Sequence, residues 1–462
     1  MKTGHDLTQG SIAGHLVRMA IPMALGMIFQ TLYVLVDLYF VAQLGDTAIA
    51  GVSAAGNVQF IVLALTQVLG VGTTVLIAHA AGRKDRVEGA RAFRQSLVLS
   101  AITGLAVLLL GATLAPAYLR SVAADAETVR NGMIYLVWFL PALALQFALI
   151  SMGAALRGAG VAKPTMLIQM GTVALNALLA PILIAGWGTG RPMGIAGAGL
   201  ASSIAVAVGV VAAAWYFVRT GFFAATREEA PYRPDLAVWG RLLRIGVPAG
   251  AEFGLMFVSM AIIYGIIAGF GAAAQAGFGV GSRVMQSLFL PVMAIAISAA
   301  PIAGQNVAAG RIDRARETFW TAAKLCSLLM ATMTAFAHWR PDVLVSPFAS
   351  DPVVVGVAVD FLRTISWNFV ASGLVFTCSS MFQAMGNTIP TVVSSAVRLT
   401  VFAIPALWIA RLPGFQLHWV WRVSVLATTT HALFALWLLR REAARRLSAL
   451  AAGPPATEPQ AA

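Results

Sequence analysis

Residues 15–39 read HLVRMAIPMALGMIFQTLYVLVDLY, and residues 242–269 read LLRIGVPAGAEFGLMFVSMAIIYGIIAG. Each run is long enough to cross a bilayer, for which about 20 predominantly apolar residues suffice. Each carries a proline in its first half, and Pro22 and Pro248 stand 226 positions apart. The same offset of 226 sets Gly45 on Gly271, Gly51 on Gly277, Gly160 on Gly386 and Pro164-Thr165 on Pro390-Thr391. At an offset of 228, Gly82-Arg83-Lys84-Asp85 falls on Gly310-Arg311-Ile312-Asp313. Turn markers recurring at one place between apolar runs indicate an internal repeat.

Working outward from these two runs, further spans are predicted at 49–79, 95–117, 131–155, 165–187 and 195–218, then at 277–307, 318–339, 354–385, 390–410 and 417–439. The reading is an all-α membrane protein of about 12 transmembrane helices in two pseudo-symmetric six-helix bundles. The lobes are expected at 1–218 and 242–440, joined by a cytosolic linker at 219–241, with a tail at 441–462 expected to be disordered. Six spans per copy give both lobes the same orientation, so their pseudo-two-fold axis runs along the membrane normal, an arrangement suited to alternating access. The N-terminus lacks a short apolar stretch with an A-x-A site, so no removable signal peptide is expected.

Composition agrees. Of 462 residues, 59% are hydrophobic and 11% charged, against about 25% charged in soluble domains; mean hydropathy is +0.83. The net charge of +13 does not indicate a nucleic-acid partner, because the basic residues sit in short clusters between apolar runs. Of the 31 Lys and Arg, 22 fall on the side of the chain ends and six on the other: Arg120, Arg130, Arg191, Arg340, Arg411 and Arg422. Arg283, Arg363 and Arg398 lie within spans. Positive charge concentrates on the cytosolic side, so both termini are expected in the cytosol. The expected address is the cytoplasmic (inner) membrane of a bacterium.

Polar residues inside spans cost free energy and ask for a reason. Asp37 is the sharpest case, since a buried carboxylate can exchange a proton, Na⁺ or a cationic substrate. Pro22, fifteen residues earlier, offers a kink by which a charge change at Asp37 is relayed to bending. Asn176 and Ser202 lie at depths that let both approach Asp37. In the second lobe, Glu252 with Arg398 and Asp360 with Arg283 share depths, and read either as intramembrane ion pairs or as a second proton or substrate site. Gln30, Tyr33, Gln67, Gln146, Gln169, Met256, Tyr264 and Gln286 are candidates to line a central cavity, where amphipathic and polarizable side chains suit broad specificity.

Several chemistries find no motif. There is no P-loop, no G-x-S-x-G and no H-E-x-x-H, and the six histidines are dispersed. Cys326 and Cys378 lie in apolar runs without ligand spacing. No enzyme activity, organic cofactor or structural metal is expected. Transport then draws on an ion gradient, H⁺ or Na⁺, with small organic substrates and the lipid bilayer as partners and a monomer as the expected state.

The run Pro22-Met23, Gln30-Thr31-Leu32-Tyr33, Val36-Asp37, Phe40-Val41 and Leu44-Gly45 resembles the first-helix signature of the multidrug and toxic-compound extrusion (MATE) family. Gly82-Arg83-Lys84-Asp85, Arg157-Gly158-Ala159-Gly160 with Pro164-Thr165, and Met385-Gly386-Asn387-Thr388 with Pro390-Thr391 resemble its loop motifs. The resemblance, over residues 10–440, implies a twelve-helix exporter of organic, often cationic, compounds in exchange for H⁺ or Na⁺. It also implies a cation-coupling role for Asp37, Asn176 and Ser202. Ala180 stands where many relatives carry an acid, and no Asp occurs near Ser372, where sodium-coupled relatives often have one. Glu252 lies several residues before the span-seven acid of that branch. The coupling ion therefore stays open. The alternative function within the same superfamily is a lipid-linked oligosaccharide flippase.

Overall fold

A computed structural model of the chain describes residues 5–122, 125–223 and 232–451; the side chains of residues 33–35, 37, 38 and 446–451 lie outside the description. The first repeat comprises α1 (Ile12–Ala42), α2 (Asp46–Gly82), α3 (Arg86–Val122), α4 (Ala126–Gly158), α5 (Lys163–Ile184) and α6 (Ile195–Thr220). The second comprises α7 (Leu236–Ile267), α8 (Ala272–Ala308), α9 (Ile312–Trp339), the short α10 (Pro341–Val345), α11 (Pro352–Ile365), α12 (Asn368–Ala384), α13 (Ile389–Ile409) and α14 (Leu417–Ala451). Among the described residues, 11 helices are long and apolar enough to cross a membrane, and α11 with α12, bent by 59°, supply a twelfth span. Between the lobes, residues 224–231 of the expected linker lie outside the description. α14 continues to Ala451, so the basic part of the expected tail is helical; residues 452–462 are not described.

The repeat is exact in register. α2 and α8 begin and end at equivalent positions under the 226 offset, and Gly45 (φ +104°) and Gly271 (φ +87°) precede them. Asp125 caps α4 by accepting from the Thr128 amide, and its counterpart Asp351 caps α11 by accepting from the Val353 and Val354 amides. At the far ends of α2 and α8 the left-handed residues are Lys84 (φ +60°) and Gly310 (φ +72°). The amides of Lys84 and Asp85 donate to the carbonyls of Ala81 and Ala80; those of Gly310 and Arg311 donate to Val307 and Asn306. The structure therefore sets Gly310 against Lys84 and corrects the 228 offset read from the Gly-Arg motif. Glycine takes this conformation without the Cβ penalty that Lys84 bears, and so the glycines misaligned the two sequences.

Packing repeats with the helices. α1 lies on α5, α2 on α4, α3 on α4, and α4 and α5 on α6; in the second lobe α7 lies on α13, α8 on α11 and α12, α9 on α12, and α12 and α13 on α14. Each lobe buries an aromatic core, around Tyr135, Phe139 and Phe147 in the first and Phe278, Phe361, Phe369 and Trp421 in the second.

One position is interrupted in both lobes. In α4, Pro141 removes a backbone donor. There the Ser203 hydroxyl inserts into the ladder, donating to the Trp138 carbonyl (2.5 Å) and accepting from the Ala142 amide (3.2 Å). The counterpart of Pro141 under the offset is Trp367, and the predicted continuous span 354–385 is broken there between α11 and α12. Backbone groups opened within a span need partners: the Thr334 hydroxyl donates to the Ser366 carbonyl (2.9 Å), and the Ser366 hydroxyl bonds His338 Nδ1 (3.2 Å).

The lobes meet where α1 crosses α8 and where α2 crosses α7 and α8. Glycines let backbones touch there. A Cβ on Gly246 would stand 1.9 Å from the Val68 carbonyl oxygen, on Gly82 2.2 Å from that of Gln305, and on Gly72 2.5 Å from that of Leu242. The N-terminal segment threads the same face. The Leu7 amide donates to Gln305 Oε1 (3.1 Å), whose Nε2 donates to the Gly158 carbonyl (3.0 Å). Arg311 and Arg314 donate to the carbonyls of Thr8 and Gly10. The Thr8 hydroxyl and amide, with Lys84 and Arg311, hold the Asp6 carboxyl below its ordinary value. The lobes are thus sealed at the face that carries the chain ends. Gly246→Ala, which drives a methyl into a backbone carbonyl, is expected to cost about 1–3 kcal/mol, read as a lowered thermal midpoint of the purified protein; an unchanged midpoint would contradict the packing described.

Candidate functional site

α1 and α5 run in the same direction, and the Gln169 amide donates to Gln30 Oε1 between them (3.1 Å). Asp37 stands seven residues beyond Gln30, and Asn176 seven beyond Gln169. Seven residues are about two helical turns, so each pair shares a helix face, and the backbone register sets Asp37 and Asn176 at one level. The side chains of Asp37 and Tyr33 lie outside the described residues. Asn176 and Ser202 are fully buried; Asn176 Nδ2 donates to Ser202 Oγ (3.3 Å). Asn176 Oδ1 is buried without a hydrogen-bond partner among the described residues. An unpaired buried acceptor costs about 1–3 kcal/mol, and this oxygen is the kind of neutral ligand a cation takes. Ala180, one turn further on α5, is also fully buried.

Pro22 lies inside α1 and borders a cleft of about 530 Å³ between α1, α5 and α6, near Arg18, Lys163 and Trp215. Of the remaining cavity candidates, Gln67 and Gln146 are half-buried, whereas Met256, Tyr264 and Gln286 are exposed. Tyr264 packs edge-on against Phe278. Among the described residues no hydrogen bond joins these five side chains to one another.

In the second lobe the carboxylate of Glu252 on α7 is faced by the hydroxyls of Ser379 on α12 and Ser395 on α13, and it lies in the field of Arg398 on α13. No N–O approach within 4.0 Å joins Glu252 to Arg398 among the described residues; the guanidinium donates instead to Ser259 Oγ (3.3 Å). His431 on α14 is buried, bonds Ser394 Oγ (3.2 Å) and lies in the field of the same arginine. The group is therefore a polar cluster across four helices and not a direct ion pair. Asp360 and Arg283 are both exposed, and among the described residues no N–O contact within 4.0 Å joins them. Sequence reasoning missed Ser259, Ser379, Ser394, Ser395 and His431, because depth along a span gives the level of a residue but not the direction it faces.

Two six-span repeats that bury polar groups between apolar helices make a multi-span membrane protein with polar groups held inside each lobe. The chain belongs to the MatE family, a family of transporters: its profile matches residues 22–182 and 248–409, one segment in each repeat. The FAD transporter of Shewanella oneidensis is 23% identical over 410 residues, covering 88% of this chain and 89% of that protein. The multidrug export protein MepA of Staphylococcus saprophyticus is 24% identical over 441 residues, covering 94% and 95%. Among solved structures, MATE in the bent conformation superposes with a TM-score of 0.89 at 24% identity, over 96% of this chain and 98% of that one. The outward-facing conformation of a multidrug resistance MATE family transporter gives 0.86 at 26% identity, over 95% and 97%.

The unpaired Asn176 oxygen makes a testable demand. Asn176→Leu removes a buried acceptor without a partner, so the purified variant is expected to melt no lower than wild type in cation-poor buffer. It is expected to lose any stabilisation that Na⁺ or a lowered pH gives the parent; a variant stabilised as much as wild type would remove Asn176 from the site.

Proposed function

We propose that the protein is a secondary-active multidrug exporter of the bacterial inner membrane, with both termini in the cytosol, that exchanges organic and often cationic compounds for H⁺ or Na⁺. The observation that carries the reading is the first-lobe site, where the unpaired Asn176 oxygen and Ser202 lie at the level of Asp37. A carboxylate at that level, completed by neutral oxygens, holds one cation at a time. Coupling ion and cationic substrate then exclude each other on electrostatic grounds. Membership of the MatE family and similarity to multidrug export proteins support the substrate class. Charge asymmetry supports the orientation.

The glycine-lined seal at the chain-end face leaves the site to communicate with the opposite face. Release of the seal, with α1 bending at Pro22, carries it to the other side. Opening must separate Gly246 from Val68 and withdraw Leu7 from Gln305, so the two events are mechanically one.

The test is efflux of a fluorescent organic cation from vesicles under imposed pH or Na⁺ gradients. Wild type is expected to export under one of the two, and Asp37→Asn to lose at least about tenfold in gradient-driven rate, since one neutralised charge removes the free energy of about 2.3 kcal/mol per 100 mV that it carried. Undiminished efflux from Asp37→Asn would take that residue out of the mechanism. Transport of FAD in place of organic cations, the substrate named for the Shewanella relative, would overturn the substrate class.

A further inference from the structure

At the membrane face opposite the chain ends, the break in the tenth span opens a cleft of about 430 Å³ lined by His338, Arg363, Thr364, Trp367, Arg422 and Val425. It lies between the end of α9, the junction of α11 with α12, and the start of α14. We propose that it binds the phosphodiester headgroup of an anionic phospholipid.

Charge comes first. This face carries few basic residues, yet Arg363 and Arg422, from different spans, line one cleft. Neither has a carboxylate oxygen within 4.0 Å among the described residues. The nearby pair Arg340–Asp342 neutralises itself (3.3 Å). Asp360, one turn before Arg363 on α11, does not line the cleft. Two guanidinium groups offer the forked donors that match a phosphate, and a charge cluster left unbalanced at a lipid boundary asks for an anion.

Depth comes second. His338 is one residue from the end of α9, and Arg422 lies within two turns of the start of α14, so the cleft is at the headgroup level. Trp367 is 65% exposed and Trp339 76%, as is usual for aromatic residues at a membrane interface. Along α14, away from Arg422 and toward the bilayer centre, Val425 and the exposed Leu426 present an apolar wall suited to an acyl chain. A soluble anion would use the cations but not this wall.

The geometry is also fixed. His338 bonds Ser366 and the Thr334 carbonyl and packs edge-on against Trp367 (5.0 Å between centroids). At the equivalent place in the first lobe, the Ser203 hydroxyl bridges the backbone of α4 at Pro141, where the helix runs on unbroken.

The full-length protein in detergent is titrated with short-chain phosphatidylglycerol, phosphatidylcholine and inorganic phosphate, and bound lipid is counted by native mass spectrometry. Wild type is expected to prefer phosphatidylglycerol over phosphatidylcholine. Arg363→Gln/Arg422→Gln is expected to bind phosphatidylglycerol about 30-fold more weakly, from two basic contacts at the membrane surface. Arg363→Lys/Arg422→Lys, which keeps the charge, retains most of the affinity and serves if the glutamine variant fails to fold. Equal phosphatidylglycerol binding by the glutamine variant and wild type overturns the proposal. So does displacement of the lipid by inorganic phosphate at equal concentration, which would assign the cleft to a soluble anion.

Discussion

The whole arrangement depends on how closely the two repeats approach each other along α2. In lipid the apolar side chains of neighbouring helices gain little from burial, because lipid tails are equally apolar; association relies on close packing and small residues. Here Gly72, Gly82 and Gly246 bring backbone against backbone at the chain-end face. The residues around them have no freedom to adapt, which makes the contact either formed or broken. An interface of that kind suits an alternating-access device, whose lobes hold two discrete arrangements around a central site.

The scaffold repeats while the chemistry does not. Helix ends, caps and left-handed turns recur at one offset, yet the position of Asp37 aligns with Ile263 in the second repeat. The first lobe holds an amide, a hydroxyl and a carboxylate position at one level. The second holds Glu252 among serines, with Arg398 and His431 nearby. A net carboxylate position and a carboxylate with its counter-cation close by are electrostatically different objects: the first attracts a mobile cation, the second already has a fixed one. This difference is the ground on which coupling is proposed for the first lobe.

Much of this was legible in the chain. Twelve spans and the repeat follow from apolar length and turn markers. The level of Asn176 and Ser202 followed from their distance to span ends, and the two side chains are in contact. The break at Ser366-Trp367 was not legible, because residues 354–385 form one apolar run without a proline; tertiary bonds from Thr334 and His338 stabilise it. The cluster around Glu252 and Arg398 was legible only as a shared depth, since the serines that join it are ordinary residues of apolar helices. The offset between the Gly-Arg motifs misled because glycine and lysine occupy the same left-handed position in the two repeats.

The most direct measurement of the central claim is the number of coupling cations released when a cationic substrate binds the purified protein, taken at two pH values with and without Na⁺. The account predicts release of about one cation per substrate from wild type and from Glu252→Gln, and none from Asn176→Leu. Release that persists in Asn176→Leu and vanishes in Glu252→Gln would place coupling in the second lobe and contradict it.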